Sequence, residues 1–210
     1  MFRRQIEVIG KENQELLSKK SVLIVGCGGL GNSIATIISC MGLKKIYLLD
    51  FDIIEEHNLH RQFQFFNEDV GKSKSIMLSR KLKKRGCRTE IVAFNKRFDV
   101  NMDIEVDLVF DASDNFEVRI EIDKFAKSKN IPWIYASVEE EVGQVGVFKT
   151  TSFDIFVTKK HQVKGQLPPM VSLIGSISAM LGLKTLIQKQ EEVLYFVDFR
   201  EDLKIRKFNL

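Results

Sequence analysis

A glycine-rich turn between a short apolar run and a helical pattern constrains this sequence more than any other feature. The apolar run is Val22–Val25, and the turn reads Gly26-Cys27-Gly28-Gly29-Leu30-Gly31. Because glycine has no Cβ, such a turn lets backbone N–H groups close on a phosphate at the N-terminus of the following helix. The segment therefore predicts a strand, a helix and, between them, a phosphate-binding turn built on Gly26, Gly28, Gly29 and Gly31.

Two carboxylates follow the next apolar run. Asp50 comes directly after Lys45–Leu49, and Asp52 lies two residues further on. In open parallel sheets the ligand binds beyond the carboxyl ends of the strands, where a carboxylate can hold ribose hydroxyls. Taken alone, this pattern predicts a nucleotide site of the kind that binds NAD.

Further polar side chains exceed what a dinucleotide needs. They are Asn58, Arg61, Gln62 and Lys74, with the carboxylates Asp111 and Asp114 after a later apolar run. A pyrophosphate linkage between two nucleosides needs neither the extra cations nor a spare carboxylate, whereas a triphosphate with Mg²⁺ needs both. The set therefore favours ATP and Mg²⁺ as the ligands.

The order of apolar runs and helical patterns predicts an α/β fold. The expected strands are Val22–Val25, Lys45–Leu49, Thr89–Phe94, Asp107–Phe110 and Pro132–Ala136, and the expected helices are Glu7–Leu17 (interrupted near Gly10), Leu30–Met41, Lys72–Lys84 and Phe116–Ser128. Alternating strands and helices, with strands rich in Val, Ile and Leu, are typical of a Rossmann-like, mostly parallel sheet with helices on both faces.

The C-terminal third has a different pattern, which predicts antiparallel strands that continue the sheet. The expected strands are Val142–Thr150, Asp154–Thr158, Val193–Phe199 and Leu203–Phe208, with a helix at Val171–Gln188 and a surface loop at Lys159–Met170. No linker long enough to divide the chain is evident. We expect one domain over residues 1–210, with a nucleotide-binding half of about 1–136 and a partner-binding half of about 137–210.

Composition narrows the class of protein. The chain has 210 residues and a formal net charge of +4, so nothing calls for nucleic acid as a partner. No apolar run in the sequence reads as membrane-spanning, and the N-terminus lacks the apolar core of a signal peptide. The cysteines at 27, 40 and 87 form neither a disulfide framework nor a CxxC pair. These features fit a cytoplasmic protein.

Taken together, the motifs resemble the ThiF/MoeB/HesA family, bacterial relatives of the ubiquitin-activating enzymes. The resemblance covers essentially the whole chain and rests on Arg4-Gln5-Ile6, Gly26–Gly31, Asp50-Phe51-Asp52, Asn58-Leu59-x-Arg61-Gln62, Gly71-x-x-Lys74 and Asp111-x-x-Asp114-Asn115 followed by Arg119. The family adenylates the C-terminal carboxylate of a small ubiquitin-like protein, usually a sulfur carrier, with Mg·ATP. The resemblance implies the same activity here and a homodimer.

The resemblance also implies a role for individual residues. Asp50 would hold the ribose, and Asp114 would bind Mg²⁺, a hard cation that prefers carboxylate oxygens. Arg61 and Lys74 would bind phosphate oxygens and offset the charge that develops as the carboxylate attacks the α-phosphorus. Asn58 and Gln62 would add neutral hydrogen bonds to the same phosphates. Arg4 would reach the nucleotide of the neighbouring subunit.

The sequence departs from the family pattern at its cysteines. Most bacterial relatives carry two CxxC pairs that bind structural zinc, and this sequence carries neither, so we expect no zinc. Many relatives also carry a cysteine on the loop that corresponds to Lys159–Met170, and this loop has none. The resemblance therefore predicts adenylation and leaves a covalent cysteine step in doubt. The short, zinc-free chain favours the thiamine branch of the family over the molybdopterin branch.

Three alternatives stay open at this point. The acceptor could be a peptide or a tRNA-borne carboxylate in place of a ubiquitin-like carrier with a Gly-Gly tail. The chain could also be a non-catalytic scaffold, although Arg61, Lys74 and Asp114 form a charge pattern for which a scaffold has no use. An NAD-dependent dehydrogenase is the third alternative, but it leaves Lys74 and Asp114 unexplained.

Overall fold

Eight strands form one continuous mixed sheet in the computed structural model, which describes residues 1–156, 165–188 and 190–210. The strands are β1 Ser21–Val25, β2 Lys45–Leu49, β3 Glu90–Phe94, β4 Leu108–Asp111, β5 Trp133–Glu139, β6 Val142–Phe148, β7 Val193–Asp198 and β8 Lys204–Asn209. Their order across the sheet is β3-β2-β1-β4-β5-β6-β7-β8. The first five strands in this order pair in parallel, and β5 to β8 pair in antiparallel fashion. The predicted fold class is confirmed.

Within the described residues, six α-helices accompany the sheet. They are α1 Arg3–Ile9, α2 Lys11–Leu17, α3 Gly29–Ile38, α4 Lys74–Lys84, α5 Phe116–Ser128 and α6 Pro168–Ile187. One buried cluster joins α2, α3, α4 and α6 to one face of the sheet, and a second cluster joins α5 to the other face. Neighbouring β1 residues contribute to opposite clusters, Ile24 to the first and Val25 to the second. A strand buried on both faces has to be apolar throughout, as β1 is.

The ends of three strands meet at one edge of the parallel sheet. Val25 at the end of β1 pairs with Leu49 of β2 on one side and with Asp111 of β4 on the other. Since parallel strands share a direction, the segments that follow β1, β2 and β4 all begin at this edge. The sheet therefore brings the glycine turn, Asp50 and Asp111 together.

Two C-terminal predictions are wrong. The expected strand Asp154–Thr158 is a 3₁₀ turn at Phe153–Phe156, and residues 157–158 lie outside the described residues. In this turn Phe153 is buried against the rings of Trp133, Tyr135 and Phe148, a tertiary contact that the local sequence pattern does not reveal. The expected loop Lys159–Met170 lies outside the described residues at 159–164, and its last three residues begin α6.

The start of α6 shows why its prolines misled the prediction. Pro168 and Pro169 occupy the first helical positions, where the missing N–H has no intrahelical partner to lose.

Helix α3 ends at Ile38 and not at the predicted Met41, because the chain leaves the helix in a turn that reaches Gly42. Gly42 has φ +81°, which favours glycine.

Helix α6 is long and apolar enough to cross a membrane by length and composition. In the fold it packs against α3 and against strands β5 and β6, and nine of its residues are buried. Small residues make this close approach possible. An ideal Cβ at Gly182 would overlap the ring of Phe110 in β4. This packing makes α6 a core helix that closes one face of the sheet.

Replacing Gly182 with alanine should destabilise the protein although alanine favours helix. The gain in helix propensity is about 1 kcal/mol, whereas forcing a methyl group into a packed core costs about 1–3 kcal/mol and here meets a buried ring. Urea unfolding should therefore give a lower midpoint for Gly182→Ala. Ser176→Ala, on an exposed face of the same helix, is the matched control and should not lower it. A higher midpoint for Gly182→Ala would contradict the packing described.

Candidate active site

The glycine turn fits between the end of β4 and the start of α3. Gly26 has φ +96°, and an ideal Cβ there would lie 2.6 Å from the carbonyl oxygen of Ala112. An ideal Cβ at Gly31 would overlap the carbonyl oxygen of Gly26. Side chains at these two positions would push the turn away from the sheet, so glycine is required at both.

The N-terminus of α3 is open toward this edge of the sheet. Gly28 is its N-cap, and no described side chain caps the N–H groups of the first turn. An ideal Cβ at Gly28 would lie 3.8 Å from Nε2 of Gln62. Backbone N–H groups at the start of a helix are suited to bind an anion, because they lack intrahelical partners and lie at the positive end of the helix dipole.

Asp50 is tied to the glycine turn. Its Oδ2 accepts a hydrogen bond from the backbone N–H of Cys27 at 2.6 Å, and its Oδ1 accepts one from the N–H of Asp52 at 2.8 Å. Burial raises the pKa of Asp50, while the two N–H groups and the nearby charge of Lys74 act in the opposite direction. A carboxylate oxygen can accept more than one hydrogen bond, so Asp50 keeps acceptor capacity for a ligand.

Lys74 begins α4 and is buried. Its Nζ donates to Oδ2 of Asp52 at 2.9 Å, and its backbone N–H donates to the Asp52 carbonyl at 3.0 Å. An ammonium group carries three N–H donors, so two remain beyond the bond to Asp52. The same charge opposes the larger effect of burial, which raises the pKa of both Asp50 and Cys27.

Arg61 lies against the start of α3. Its Cγ and Cδ would lie 3.5 and 3.6 Å from an ideal Cβ at Gly29. Its Nε donates to Oε1 of Gln166 at 2.8 Å, and its Nη1 donates to the carbonyl of His57 at 3.2 Å. Of five N–H donors in a guanidinium group, three remain available. Burial lowers the pKa of Arg61, and the nearby Asp114 carboxylate acts against that effect.

Gln166 is a member of the site that the sequence did not reveal. It lies 105 positions from its partner Arg61 in the chain, just before α6. Its Nε2 also donates to the carbonyl of Val138 in β5 at 3.4 Å. A single glutamine with no motif around it gives no sequence signal, because only the fold brings it to Arg61.

The two predicted amide side chains differ in their surroundings. Oδ1 of Asn58 accepts the N–H of Glu55 at 3.1 Å and thereby caps a 3₁₀ turn. Gln62 is buried, and its Oε1 has no hydrogen-bond partner among the described residues. The Nδ2 of Asn32, on the first turns of α3, is also buried without one. Buried polar atoms are nearly always satisfied, so these two atoms require a partner, an ordered water or a bound group, beside the start of α3.

At the end of β4, Asp111 and Arg119 form a buried ion pair. Arg119 Nε lies 3.1 Å from Oδ2 of Asp111, and Ser113 donates both its N–H and its hydroxyl to Oδ1. Burial raises the pKa of Asp111 against the opposing effects of these partners. Arg119 also donates to the carbonyl of Ser113 at 2.9 Å, which holds the loop that carries Asp114.

Asp114 itself is exposed and lies within electrostatic range of two arginines, Arg61 and Arg119. The described residues contain no cluster of three or more His, Cys, Asp or Glu side chains suited to a metal ion. A cation here would therefore rely on the ligand's own oxygens, as Mg²⁺ does when one or two carboxylates and substrate phosphates hold it.

One predicted residue, Arg4, lies apart from this cluster, whereas Cys27, which carries no predicted role, lies inside it. Arg4, on α1, has a side chain that is 95% exposed and pairs with Glu7 at 3.6 Å. Cys27 lies in the glycine turn but is fully buried, and burial, with the Asp50 charge, raises the pKa of its thiol well above the usual value. A buried thiol of this kind is a poor nucleophile.

The chain belongs to the ThiF family, whose model matches residues 2–208. The fold and the strand-end site described above agree with this assignment.

Curated relatives have names that specify an activity. The sulfur carrier protein adenylyltransferase of Thermus thermophilus is 33% identical over 67% of this chain and 53% of its own length. The molybdopterin-synthase adenylyltransferase of Haemophilus influenzae is 28% identical over 87% of this chain and 82% of its own. The chain thus spans about half the length of the first of these relatives.

Solved structures share the fold. A crystal structure of E. coli MccB with ATP matches with a TM-score of 0.79 and 22% identity over 94% of this chain and 65% of that one. At this level of identity the likeness supports the architecture, including the parallel sheet and its antiparallel continuation.

Removing one partner of the Asp111–Arg119 pair should be strongly destabilising. Arg119→Gln leaves a fully buried carboxylate without its counter-charge, which costs about 3–5 kcal/mol. The double variant Asp111→Asn/Arg119→Gln should lose less than the sum of the two single losses, because no unpaired charge remains. Urea unfolding of all four proteins measures this difference. Arg200→Gln, which breaks an exposed pair with Asp198, is the control and should have a much smaller effect; additive losses would contradict a buried pair.

Proposed function

We propose that this chain catalyses the ATP-dependent adenylation of the C-terminal glycine carboxylate of a small ubiquitin-like sulfur carrier, with release of pyrophosphate. The observation that carries the proposal is the meeting of Asp50, Lys74 and Arg61 around one glycine turn at the open end of α3. Asp50 and Arg61 contact the turn, Lys74 bonds Asp52 within electrostatic range of Asp50, and all three side chains keep hydrogen-bonding capacity for a ligand.

ATP fits the unsatisfied groups of this site. The free N–H groups of α3 are suited to the phosphates, and Asp50 retains acceptor capacity for the ribose hydroxyls. The buried Oε1 of Gln62 and Nδ2 of Asn32 have no partners among the described residues and lie beside the glycine turn and on the first turns of α3. A bound nucleotide would supply partners for groups that are otherwise costly to bury. Asn58 would contribute its remaining amide donors.

The positively charged side chains of Lys74 and Arg61 would stabilise the transition state. The acceptor carboxylate attacks the α-phosphorus, the bond to pyrophosphate breaks, and negative charge grows on the phosphate oxygens. Lys74 has two free N–H donors and Arg61 has three, and both side chains are held by neighbours before substrate arrives. Donors held in place where charge develops stabilise a transition state with little reorganisation.

Mg²⁺ would be held by Asp114 and the phosphates of ATP. Asp114 is exposed at the same edge, and its lone carboxylate is the kind of protein ligand that Mg²⁺ uses together with substrate oxygens. When bound, the ion supplies neutralisation of phosphate charge. Asp52 would keep Lys74 oriented toward the same phosphates.

The acceptor is inferred from the named relatives. Adenylyltransferases of a sulfur carrier protein and of molybdopterin synthase are both similar to this chain. We favour a carrier of the thiamine type because the sequence lacks the zinc-binding CxxC pairs, and a molybdopterin-type carrier is the nearest alternative. Residues 1–210 would act as one cytoplasmic unit, with the nucleotide bound by about 1–136 and the carrier by about 137–210. Neither nucleic acid nor a membrane is needed as a partner.

Removing the charge of Lys74 or of Asp114 should strongly lower the rate of adenylation. Lys74→Ala and Asp114→Ala should each lower carrier-dependent, Mg²⁺-dependent ATP–pyrophosphate exchange by roughly a hundredfold or more, the effect of losing a transition-state contact. Lys72→Ala and Asp103→Ala change exposed residues of the same charge and should leave exchange near the wild-type rate.

The same assay separates the alternatives. Wild-type exchange in both Lys74→Ala and Asp114→Ala, with circular dichroism confirming the fold, would refute the assigned roles. Binding of NAD in place of ATP would indicate a dehydrogenase, and ATP binding without exchange for any carrier would indicate a scaffold. Exchange that responds to a peptide or a charged tRNA would move the acceptor to that class.

We also propose a two-fold homodimer in which each Arg4 serves the partner's site. In the single chain the Arg4 guanidinium is almost fully exposed, which it must be in order to reach a neighbouring subunit. Arg4→Ala and Asp114→Ala homodimers should both be nearly inactive. In a mixed dimer one site carries both changes and the other carries neither, so free exchange of subunits should restore roughly a quarter of the activity.

Arg3→Ala is the control for this experiment. Arg3 is equally exposed and pairs with the same Glu7, so a general effect of charge on α1 would appear in both variants. No recovery after subunit exchange has been verified would show that Arg4 does not act across an interface. A monomer at working concentration would exclude shared sites.

A further inference from the structure

Two cysteines meet at the end of the molecule opposite the glycine turn. Cys40 lies two residues beyond α3, and Cys87 lies three residues beyond α4. Their Sγ atoms are 2.8 Å apart, although the residues are 47 positions apart in the chain. Both are free thiols and both are partly exposed, so a small oxidant in solution can reach them.

The surroundings of the pair make the two thiols unequal. Burial raises the pKa of Cys40, but hydrogen bonds from Cys87, Ser39 and Arg85, with the Arg85 charge, outweigh it and lower the pKa below the usual value. Burial and the bond to Cys40 raise the pKa of Cys87 to about 11. Cys40 therefore loses its proton more readily than Cys87 does, and its thiolate is the nucleophile of the pair when it forms.

We propose that Cys40 and Cys87 are a reversible oxidation site, at which a peroxide closes an intrachain disulfide between the ends of α3 and α4. In a reducing compartment, disulfides that do form are mostly transient and respond to the redox state. A partly exposed cysteine beside an arginine, with a second thiol 2.8 Å from its sulfur, is the arrangement that such a site requires. This inference does not depend on the proposed adenylation.

The chemistry balances with a peroxide as the only oxidant. The Cys40 thiolate attacks one peroxide oxygen, the O–O bond breaks, and Cys40 becomes a sulfenic acid as hydroxide leaves and takes a proton to become water. The Cys87 sulfur then attacks the sulfenic sulfur. The S–O bond breaks, and the departing hydroxide takes the Cys87 proton. Two thiols and hydrogen peroxide thus give one disulfide and two waters, and the peroxide gains two electrons.

The position of the Cys40–Cys87 disulfide determines how it would affect the structure. Helix α3 begins at the glycine turn and α4 begins at Lys74, so the disulfide would join the far ends of the two helices that carry the site. It would tie them together without touching a residue of the site. The bond should also stabilise the fold, because it restricts the conformations that the unfolded chain can adopt between positions 40 and 87.

The test is to treat the folded full-length protein with hydrogen peroxide, block remaining thiols by alkylation and map the peptides by mass spectrometry without reduction. We expect one intrachain link between the peptides of Cys40 and Cys87, with a loss of two hydrogens that dithiothreitol restores. The oxidised protein should have a Tm higher by about 5–10 °C. Cys27→Ala, which removes the buried third thiol, should keep the link, and Cys40→Ser and Cys87→Ser should lose it.

Quantitative alkylation of both Cys40 and Cys87 after peroxide treatment would overturn the proposal, and so would a link that involves Cys27 or a second molecule. A Tm that falls or stays unchanged on oxidation would also overturn it, because the bond would then form only by distorting the native packing. The peptide map of the wild-type protein decides the question even where a variant fails to fold.

Discussion

The close fit of the glycine turn between β4 and α3 is the constraint on which the rest of the site depends. The carbonyl oxygens of Ala112 and Gly26 occupy the space that side chains at Gly26 and Gly31 would need. This fit brings the start of α3 down to the strand ends and leaves its N–H groups open. Asp50 then reaches the N–H of Cys27, and Arg61 packs on Gly29. Widening the turn would disturb each of these contacts at once.

Charges in the site are held in pairs that differ in accessibility. The Asp111–Arg119 pair is buried and supports the loop before α5, whereas Lys74 bonds the more exposed Asp52. Leaving a buried charge unpaired is costly, so Asp111 and Arg119 hold each other in place. Lys74 and Arg61 are held by partners that leave part of their donor capacity free. Structural support thus comes from the buried Asp111–Arg119 pair, and the donors left free on Lys74 and Arg61 are those that we propose for ligand binding.

The nucleotide half was predictable because its determinants are local. The bounds of β2 and α5 agree with prediction. An apolar run of consecutive residues determines β2, and the Asn115 cap directly precedes α5. The C-terminal half depended on tertiary contacts. Phe153 lies in a turn and its ring packs in an aromatic cluster. Gln166 contacts Arg61 only because the fold brings these two distant residues together. The Cys40–Cys87 contact is hidden for the same reason, since only the packing of α3 and α4 brings these residues together.

Helices α3 and α4 connect the two ends of the molecule. Each begins at the site, one with the glycine turn and the other with Lys74, and each ends beside one of the paired cysteines. Both pack on the same face of the sheet. Because the interior is close-packed, a constraint at their far ends is transmitted along rigid elements and is not absorbed in between. A bond between Cys40 and Cys87 would therefore hold fixed the spacing of the two helices that begin at the glycine turn and at Lys74.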